Sequence, residues 1–291
     1  MESRKDVVFA KAGDIELKLD IYKPEKPNGI AILFVHGGGW RMGSREMMAP
    51  IAQEMAGYGF TGISSQYRLN TAKNGGVWPA HIHDTKAAIR WVRKHAGELG
   101  IDPERIVLWG SSAGAHLVLL AGGTPDDPRL EGELGPRDVS SKVAAVVAVH
   151  APTGFHVSTP SGKHTSPLNA LLGREGGTEE DAKLAAPMSY VSANFPPTLL
   201  LHGTVDKVVH HSQSQVMHDA LRAARAPVDM HLYSGHAHGF ARLPSMREQV
   251  AAEAAYFLDR MVVNPAKYKA EMDTVAAEVA AMQARQAAAA T

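Results

Sequence analysis

The chain has 291 residues, is 45% hydrophobic, and sets 30 Lys and Arg against 30 Asp and Glu. That is enough apolar material for one large core, while no basic stripe or acidic tail points to nucleic acid or a basic protein partner. Cysteine is absent, which excludes disulfides and thiolate chemistry, and neither an apolar leader after Met1 nor a membrane-length apolar stretch occurs, so a cytoplasmic location without a membrane partner is expected.

Asp6 to Ala10 and Ile15 to Tyr22 alternate apolar and polar residues around Gly13-Asp14, the pattern of an antiparallel hairpin at a sheet edge. Ile30 to Val35 is apolar without alternation, as in a strand covered on both faces, and runs into His36-Gly37-Gly38-Gly39-Trp40. Ser44 is placed to cap a helix whose Met48, Ile51, Met55 and Tyr58 recur at helical spacing. Phe60 to Tyr67 reads as a strand, Asn70 to Val77 as a loop and Ala80 to Ala96 as a helix. The apolar run Arg105 to Trp109 then leads through Gly110-Ser111-Ser112-Ala113-Gly114 into the helix former Ala115 to Ala121. A strand that turns sharply into a helix through G-x-S-x-G is a nucleophile elbow.

Gly122 to Ser141 is rich in Gly, Pro and Asp and reads as a surface excursion, followed by a buried strand from Val143 to Val149. Residues 151–197 form a long mixed connection with one helix near Glu179 to Ala186. A connection of that length inside a compact fold is expected to be a lid or pocket wall. Thr198 to His202 is a strand, Ser212 to Ala224 a helix with Val216, Ala220 and Leu221 inward, and Val228 to Tyr233 the last strand. Ser245 and Glu248 have capping-box spacing and open a helix whose Val250, Ala254, Phe257 and Met261 face the core.

Strand and helix alternate from residue 30 onward, which predicts an α/β fold with a mostly parallel sheet and helices on both faces. Residues 1–263 form the expected catalytic domain, and 264–291 an Ala-rich C-terminal helix begun by Asn264 and Pro265. Along that helix Tyr268, Met272, Val275, Val279 and Met282 make a narrow seam of the kind used between two helices. It packs either on its own domain or against a second copy, as a homodimer.

Acyl hydrolysis needs a nucleophile, a base, a group that fixes the base, and donors for the developing oxyanion. Ser112, the middle residue of the elbow, is the candidate nucleophile, with Ser111 structural. Asp206 ends His202-Gly203-Thr204-Val205-Asp206 just after a buried strand, where a carboxylate can hold a histidine tautomer; Asp229, inside the last strand, reads as solvent-facing. The base lies in Ser234 to Phe240, which holds both His236 and His238, and the order Ser, Asp, His is the one this fold requires. Gly38 and Gly39, with Ala113 after the nucleophile, supply the oxyanion donors. His81, His83, His210 and His211 lack metal-site spacing and read as surface residues, so neither a metal nor a cofactor is expected.

These stretches resemble the α/β-hydrolase-fold serine esterases, in the group of hormone-sensitive-lipase-like carboxylesterases and acetylxylan/feruloyl-type esterases. The resemblance rests on Leu19 to Pro24, His36 to Trp40, Tyr67 to Leu69, Pro79-Ala80 with Asp84, Gly110 to Gly114, His202 to Asp206 and His238-Gly239-Phe240. It implies that the histidine before Gly-Phe, His238, is the base, with His236 the runner-up, and that Arg68 and Asp84 pair behind the site. The glycine loop arrives at residue 36 after only a hairpin, so the helical cap usual ahead of it in hormone-sensitive-lipase-like enzymes is expected to be missing.

The activity this implies is a serine carboxylesterase acting on small-molecule short-chain or aryl esters, acetyl or feruloyl esters of carbohydrates among them. An arylformamidase using the same triad and a non-catalytic binding protein on the same fold are the alternatives. Trp40, Phe155, Leu168 and Leu171 are the candidate substrate-binding residues, and the polar content of 154–172 points to a short or polar substrate.

Overall fold

A computed structural model describes residues 2–71, 75–155 and 167–289. Its centre is a sheet of eight strands: β1 (Glu2–Ala12), β2 (Ile15–Lys23), β3 (Ala31–Val35), β4 (Thr61–Ser65), β5 (Ile106–Ser111), β6 (Ala145–Val149), β7 (Thr198–Gly203) and β8 (Val228–Tyr233). The spatial order is β1-β2-β4-β3-β5-β6-β7-β8. The β1-β2 hairpin is antiparallel and joins β4 antiparallel, while every neighbouring pair from β4 through β8 is parallel. This is the α/β-hydrolase arrangement with its N-terminal antiparallel hairpin.

The central strands β3 to β7 are buried along their length, save Ser111 at the end of β5, because helices cover both faces, and their sequences accordingly show no alternation. One face carries α1 (Ala49–Gly57) and, near the chain's end, α9 (Pro244–Leu258) over Phe34, Trp109, Val147 and Leu201. The other carries α2 (Ala80–Lys94), α4 (Ala113–Gly123) and α8 (Ser212–Ala223) over Leu33, Leu108, Val146 and Leu200. Between these helices lie the short α3 (Ala96–Leu99), α5 (Pro128–Glu131), α6 (Pro167–Leu172) and α7 (Glu179–Ala185). The excursion from Gly122 to Ser141 is anchored rather than loose. Leu130 of α5 is buried, and Glu131 receives the fully buried Lys86 at 2.7 Å together with Arg90.

Several local expectations fail for identifiable reasons. Ser44 occupies the N-cap position of a 3-10 turn but makes no side-chain cap. Pro244 starts α9 with Leu243 as its cap residue, so Ser245 lies inside the first turn and the Ser245–Glu248 capping box does not form. A reciprocal box occurs instead at α7, where Asp181 N–H donates to Thr178 Oγ1 at 3.1 Å and Thr178 N–H to Asp181 Oδ2 at 2.9 Å. In α8 the inward residues are Ser214, Met217 and Leu221, while Val216 faces solvent; in α1 the predicted face ends before Tyr58, which is exposed.

The C-terminal helix α10 (Pro265–Ala289) leaves the body of the protein after a π-helical turn at Asp259–Val263. Its seam residues Met272, Val275, Val279 and Met282 are 45% to 70% exposed, so the reading in which they pack on their own domain is not met. No helix among the described residues is long and apolar enough to cross a membrane.

Candidate active site

The elbow's geometry follows from its two glycines. A Cβ on Gly110 would stand 2.3 Å from the carbonyl oxygen of Gly114, and one on Gly114 would stand 2.1 Å from that of Val35. Only glycine lets α4 start this close to β3 and β5. Ser112 takes up the resulting turn with φ 53° and ψ −118°, a conformation that costs a non-glycine residue of order 1–3 kcal/mol. Its N–H donates to Val149 O at 2.9 Å, which locks the turn to the end of β6.

His238 lies in the loop after β8 and bridges the other two residues. Its Nδ1 is 2.7 Å from Asp206 Oδ2, and its Nε2 is 3.0 Å from Ser112 Oγ. With Asp206 ionised, Nδ1 is the donor, which leaves the Nε2 lone pair facing the serine hydroxyl. Asp206 follows β7 and is buried; its other oxygen accepts the N–H groups of Val208 at 2.8 Å and Val209 at 3.0 Å. Burial alone would raise its pKa, but the His238 hydrogen bond and these two amides outweigh that and hold the carboxyl below its ordinary range. His202 supports the loop from behind, with Nε2 2.9 Å from Val209 O and Nδ1 2.8 Å from Ser214 Oγ.

The glycine loop runs beside the elbow: a Cβ on Gly37 would approach that of Ser112 to 3.2 Å. Gly38 and Gly39 have φ of 120° and 59°, and Gly38 O accepts from the N–H groups of Arg41 at 3.2 Å and Met42 at 3.1 Å. Ala113 is the first residue of α4, so its N–H is one of the helix-start amides without an intrahelical acceptor. His36 anchors the loop by stacking on Tyr67 at 4.4 Å and by a 2.7 Å contact of Nδ1 with Gly37 O; burial lowers its pKa to about 4. Arg68 clasps Asp84 through Nε at 2.8 Å and Nη2 at 2.7 Å, joining the two residues paired by resemblance.

His236 stands apart from this constellation. Its Nδ1 is 3.0 Å from Ser234 O, the same short loop, and it makes no hydrogen bond to Asp206 or Ser112. Ser111 directs its Oγ to His150 Nε2 at 3.0 Å. The residue expected to face solvent, Asp229, is half-buried and paired with Arg260.

Three of the four candidate substrate-binding residues are buried in the structure. Trp40, Leu168 and Leu171 are buried in the core on the α2-α4 face, and Trp40 Nε1 donates to His116 Nδ1 at 3.2 Å. Phe155 is half-buried against Trp40 and His116 and remains at the edge. Residues 156–166 of the same connection lie outside the described residues. The surface reading of His81 is also corrected: it is fully buried under Tyr67, and burial pushes its pKa down to about 3.

His150 was missed by sequence reasoning, although its place directly after a buried strand was a signal. Its donor atoms, with those of Asp206 and His238, lie within 4.8 Å of one another. That set has metal-ligand composition, but Asp206 Oδ2 and both nitrogens of His238 are already engaged in the hydrogen bonds above.

Comparison with known proteins agrees with this architecture. The BD-FAE family model matches residues 19–221. The esterase LipC of Mycobacterium tuberculosis is 32% identical over 87% of this chain, and the match spans 64% of LipC's own length. Among solved structures, Thermogutta terrifontis esterase 2 with propionate bound superposes with a TM-score of 0.75 at 30% identity, over 90% of this chain and 95% of that one. A truncated carbohydrate esterase from gut microbiota gives a TM-score of 0.77 at 29% identity, over 90% and 96% of the two chains.

Proposed function

Because the chain belongs to the BD-FAE family, within the α/β-hydrolase-fold esterases, we propose that it is a serine carboxylesterase for small, short-chain or aryl esters. The observation that carries this reading is the bridge made by His238, 2.7 Å from Asp206 Oδ2 and 3.0 Å from Ser112 Oγ. Ser112 Oγ attacks the ester carbonyl carbon as His238 Nε2 takes its proton. The oxyanion is received by the N–H groups of Gly38, Gly39 and Ala113. His238 then gives the proton to the departing alcohol, water attacks the acyl-enzyme with His238 again as base, and the acid leaves. Asp206 keeps the imidazole in the Nδ1–H tautomer and balances the imidazolium.

The preference for short acyl groups rests on the likeness to an esterase seen with propionate, and acetyl or feruloyl esters of carbohydrates rest on the likeness to a carbohydrate esterase. A panel of nitrophenyl esters of rising acyl length, with acetylated xylan, a feruloyl ester and formylkynurenine, tests it. Hydrolysis of the short esters that disappears in Ser112→Ala is the expected result. Preferential turnover of formylkynurenine would replace the esterase by an arylformamidase using the same residues. His238→Ala abolishes activity while His236→Ala does not; the reverse ranking would reassign the base. The cytoplasmic location expected from the cysteine-free composition belongs to this proposal and is tested by cell fractionation. So does a homodimer joined through the exposed seam of α10.

A further inference from the structure

One buried residue beside the triad has no part in the ester chemistry above. His150 directly follows β6, is 2% exposed, and has φ 44°, the left-handed region that side chains other than glycine rarely adopt. Its N–H donates to Leu201 O at 2.8 Å, so β6-β7 pairing sets its place. Its Nε2 is 3.0 Å from Ser111 Oγ, and its ring centroid is 4.1 Å from that of His238. Strain held at such a position is a pointer to function when the neighbours explain it.

We propose that His150 is a positioning residue, which packs against the His238 imidazole and ties it through Ser111 to the end of the strand that leads into Ser112. This rests on the reading of Ser112 and His238 as nucleophile and base. Hydrogen bonds at Nδ1 and Nε2 fix the two edges of the His238 ring but resist movement along its normal only weakly; a packed face resists it directly. An imidazole at 150 meets both demands, with its ring packed on that of His238 at a 49° tilt between the planes and a nitrogen within reach of Ser111. The groups around it are His238, His202, Asp206 and Ser111, with Phe240 5.8 Å away between ring centroids. Burial, reinforced by His238 and His202, keeps His150 neutral well below the usual histidine range. No second positive charge therefore faces His238 when it becomes imidazolium. His150 and Ser111 also wall a cavity of about 320 Å³ with Met48, Ile51 and Trp109. A shorter side chain at 150 would enlarge that space.

Three variants separate the two contacts: His150→Asn removes the ring and tolerates the backbone, His150→Phe keeps a face without the polar edge, and Ser111→Ala removes only the bond. The readouts are kcat and KM on p-nitrophenyl acetate, and the low-field proton signal of His238 Nδ1–H bonded to Asp206. His150→Asn is expected to lower kcat by about tenfold or more, since a displaced catalytic group loses rate steeply. Its KM should stay within roughly twofold, and its low-field proton should broaden. His150→Phe should recover part of kcat and the signal, and Ser111→Ala should fall between wild type and His150→Asn. Unchanged kcat and signal in His150→Asn, or a His150→Phe as impaired as His150→Asn, would overturn the proposal. If His150→Asn does not fold, Ser111→Ala decides, because losing one hydroxyl leaves the backbone intact; wild-type kcat and signal there would overturn it equally. The proton signal is read without turnover. A wild type that hydrolyses no ester would therefore sink the proposed function, while the signal still decides the role of His150.

Discussion

Asp206 divides its oxygens between two tasks: Oδ2 meets His238 Nδ1 at 2.7 Å, and Oδ1 accepts the amides of Val208 and Val209 at 2.8 and 3.0 Å. This division predicts the effect of Asp206→Asn. The two amides demand an oxygen at the Oδ1 position, so the asparagine NH2 turns toward His238 and the imidazole must accept at Nδ1. That places the ring proton on Nε2, facing Ser112, which is the wrong tautomer for a base. Turnover should fall by about 10⁴-fold, as in other triads of this geometry, with the fold retained. Near-wild-type turnover on a nitrophenyl ester would mean that Asp206 does not orient the base.

The juxtaposition of Ser112, Asp206 and His238 was legible because each lies at the carboxyl end of a buried strand, and strand ends of a parallel sheet converge on one edge. The glycines around Ser112 were legible for a related reason, since backbone packed on backbone admits no side chain. The pocket wall was not. Trp40, Leu168 and Leu171 are apolar, and apolarity does not distinguish a substrate wall from core until what covers it is known. Histidine is harder still: His81 and His150 are polar in composition yet buried, because neighbouring elements close over them. Local spacing also yielded to context at Ser245 and Glu248, where Pro244 set the start of the helix.

The contact between Gly114 and β3 predicts a contrast between two glycine substitutions. In Gly114→Ala the new Cβ would lie 2.1 Å from Val35 O and 2.5 Å from His36 O, backbone atoms fixed inside the sheet. The loss should reach or exceed about 3 kcal/mol, at the upper end for overpacking, or the chain should fail to fold. Gly39→Ala meets nothing within 4 Å and bears only the strain of φ +59°, about 1–2 kcal/mol. Thermal unfolding of the two variants checks the ranking. An equal or reversed order would mean that α4 and β3 are not packed this closely.

Buried histidines predict a loss of stability in acid. His36, His81 and His116 have folded pKa values lowered to about 4, about 3 and about 4, each chiefly by burial, against an ordinary 6.5. Above 6.5 both folded and unfolded chains hold them neutral. As pH falls from 6.5 toward about 4, the unfolded chain binds protons that the folded chain refuses, so stability declines across that window. The decline levels off only below the folded values. Each histidine contributes a slope of up to about 1.4 kcal/mol per pH unit. Asp206, with its depressed carboxyl, loses its contribution at still lower pH. Urea midpoints taken from neutrality to about pH 5 should drop steadily, and His81→Leu should make that slope shallower by one histidine's share. A midpoint independent of pH in that range would show that these rings are protonated as readily in the folded state as outside it.

The last prediction concerns α10. Tyr268 still belongs to the body of the protein, since its hydroxyl donates to Asp259 Oδ2 at 2.6 Å and its ring meets Tyr256 edge-on. Beyond it, Met272, Val275, Val279 and Met282 offer an apolar line to solvent, 70%, 58%, 45% and 60% exposed. Isolated helices are marginal in water, so a helix of this length with a bare seam gains most from a partner. A second copy of the same helix is self-complementary about a two-fold axis. The chain should therefore run as a dimer in light scattering, and truncation after Tyr268 should give a monomer. Because the described residues beyond Tyr268 are exposed, the truncated protein should melt within about 2 °C of the full chain's monomeric transition and keep its specific activity. Identical masses for the full and truncated chains, each a monomer, would exclude the seam as a self-contact.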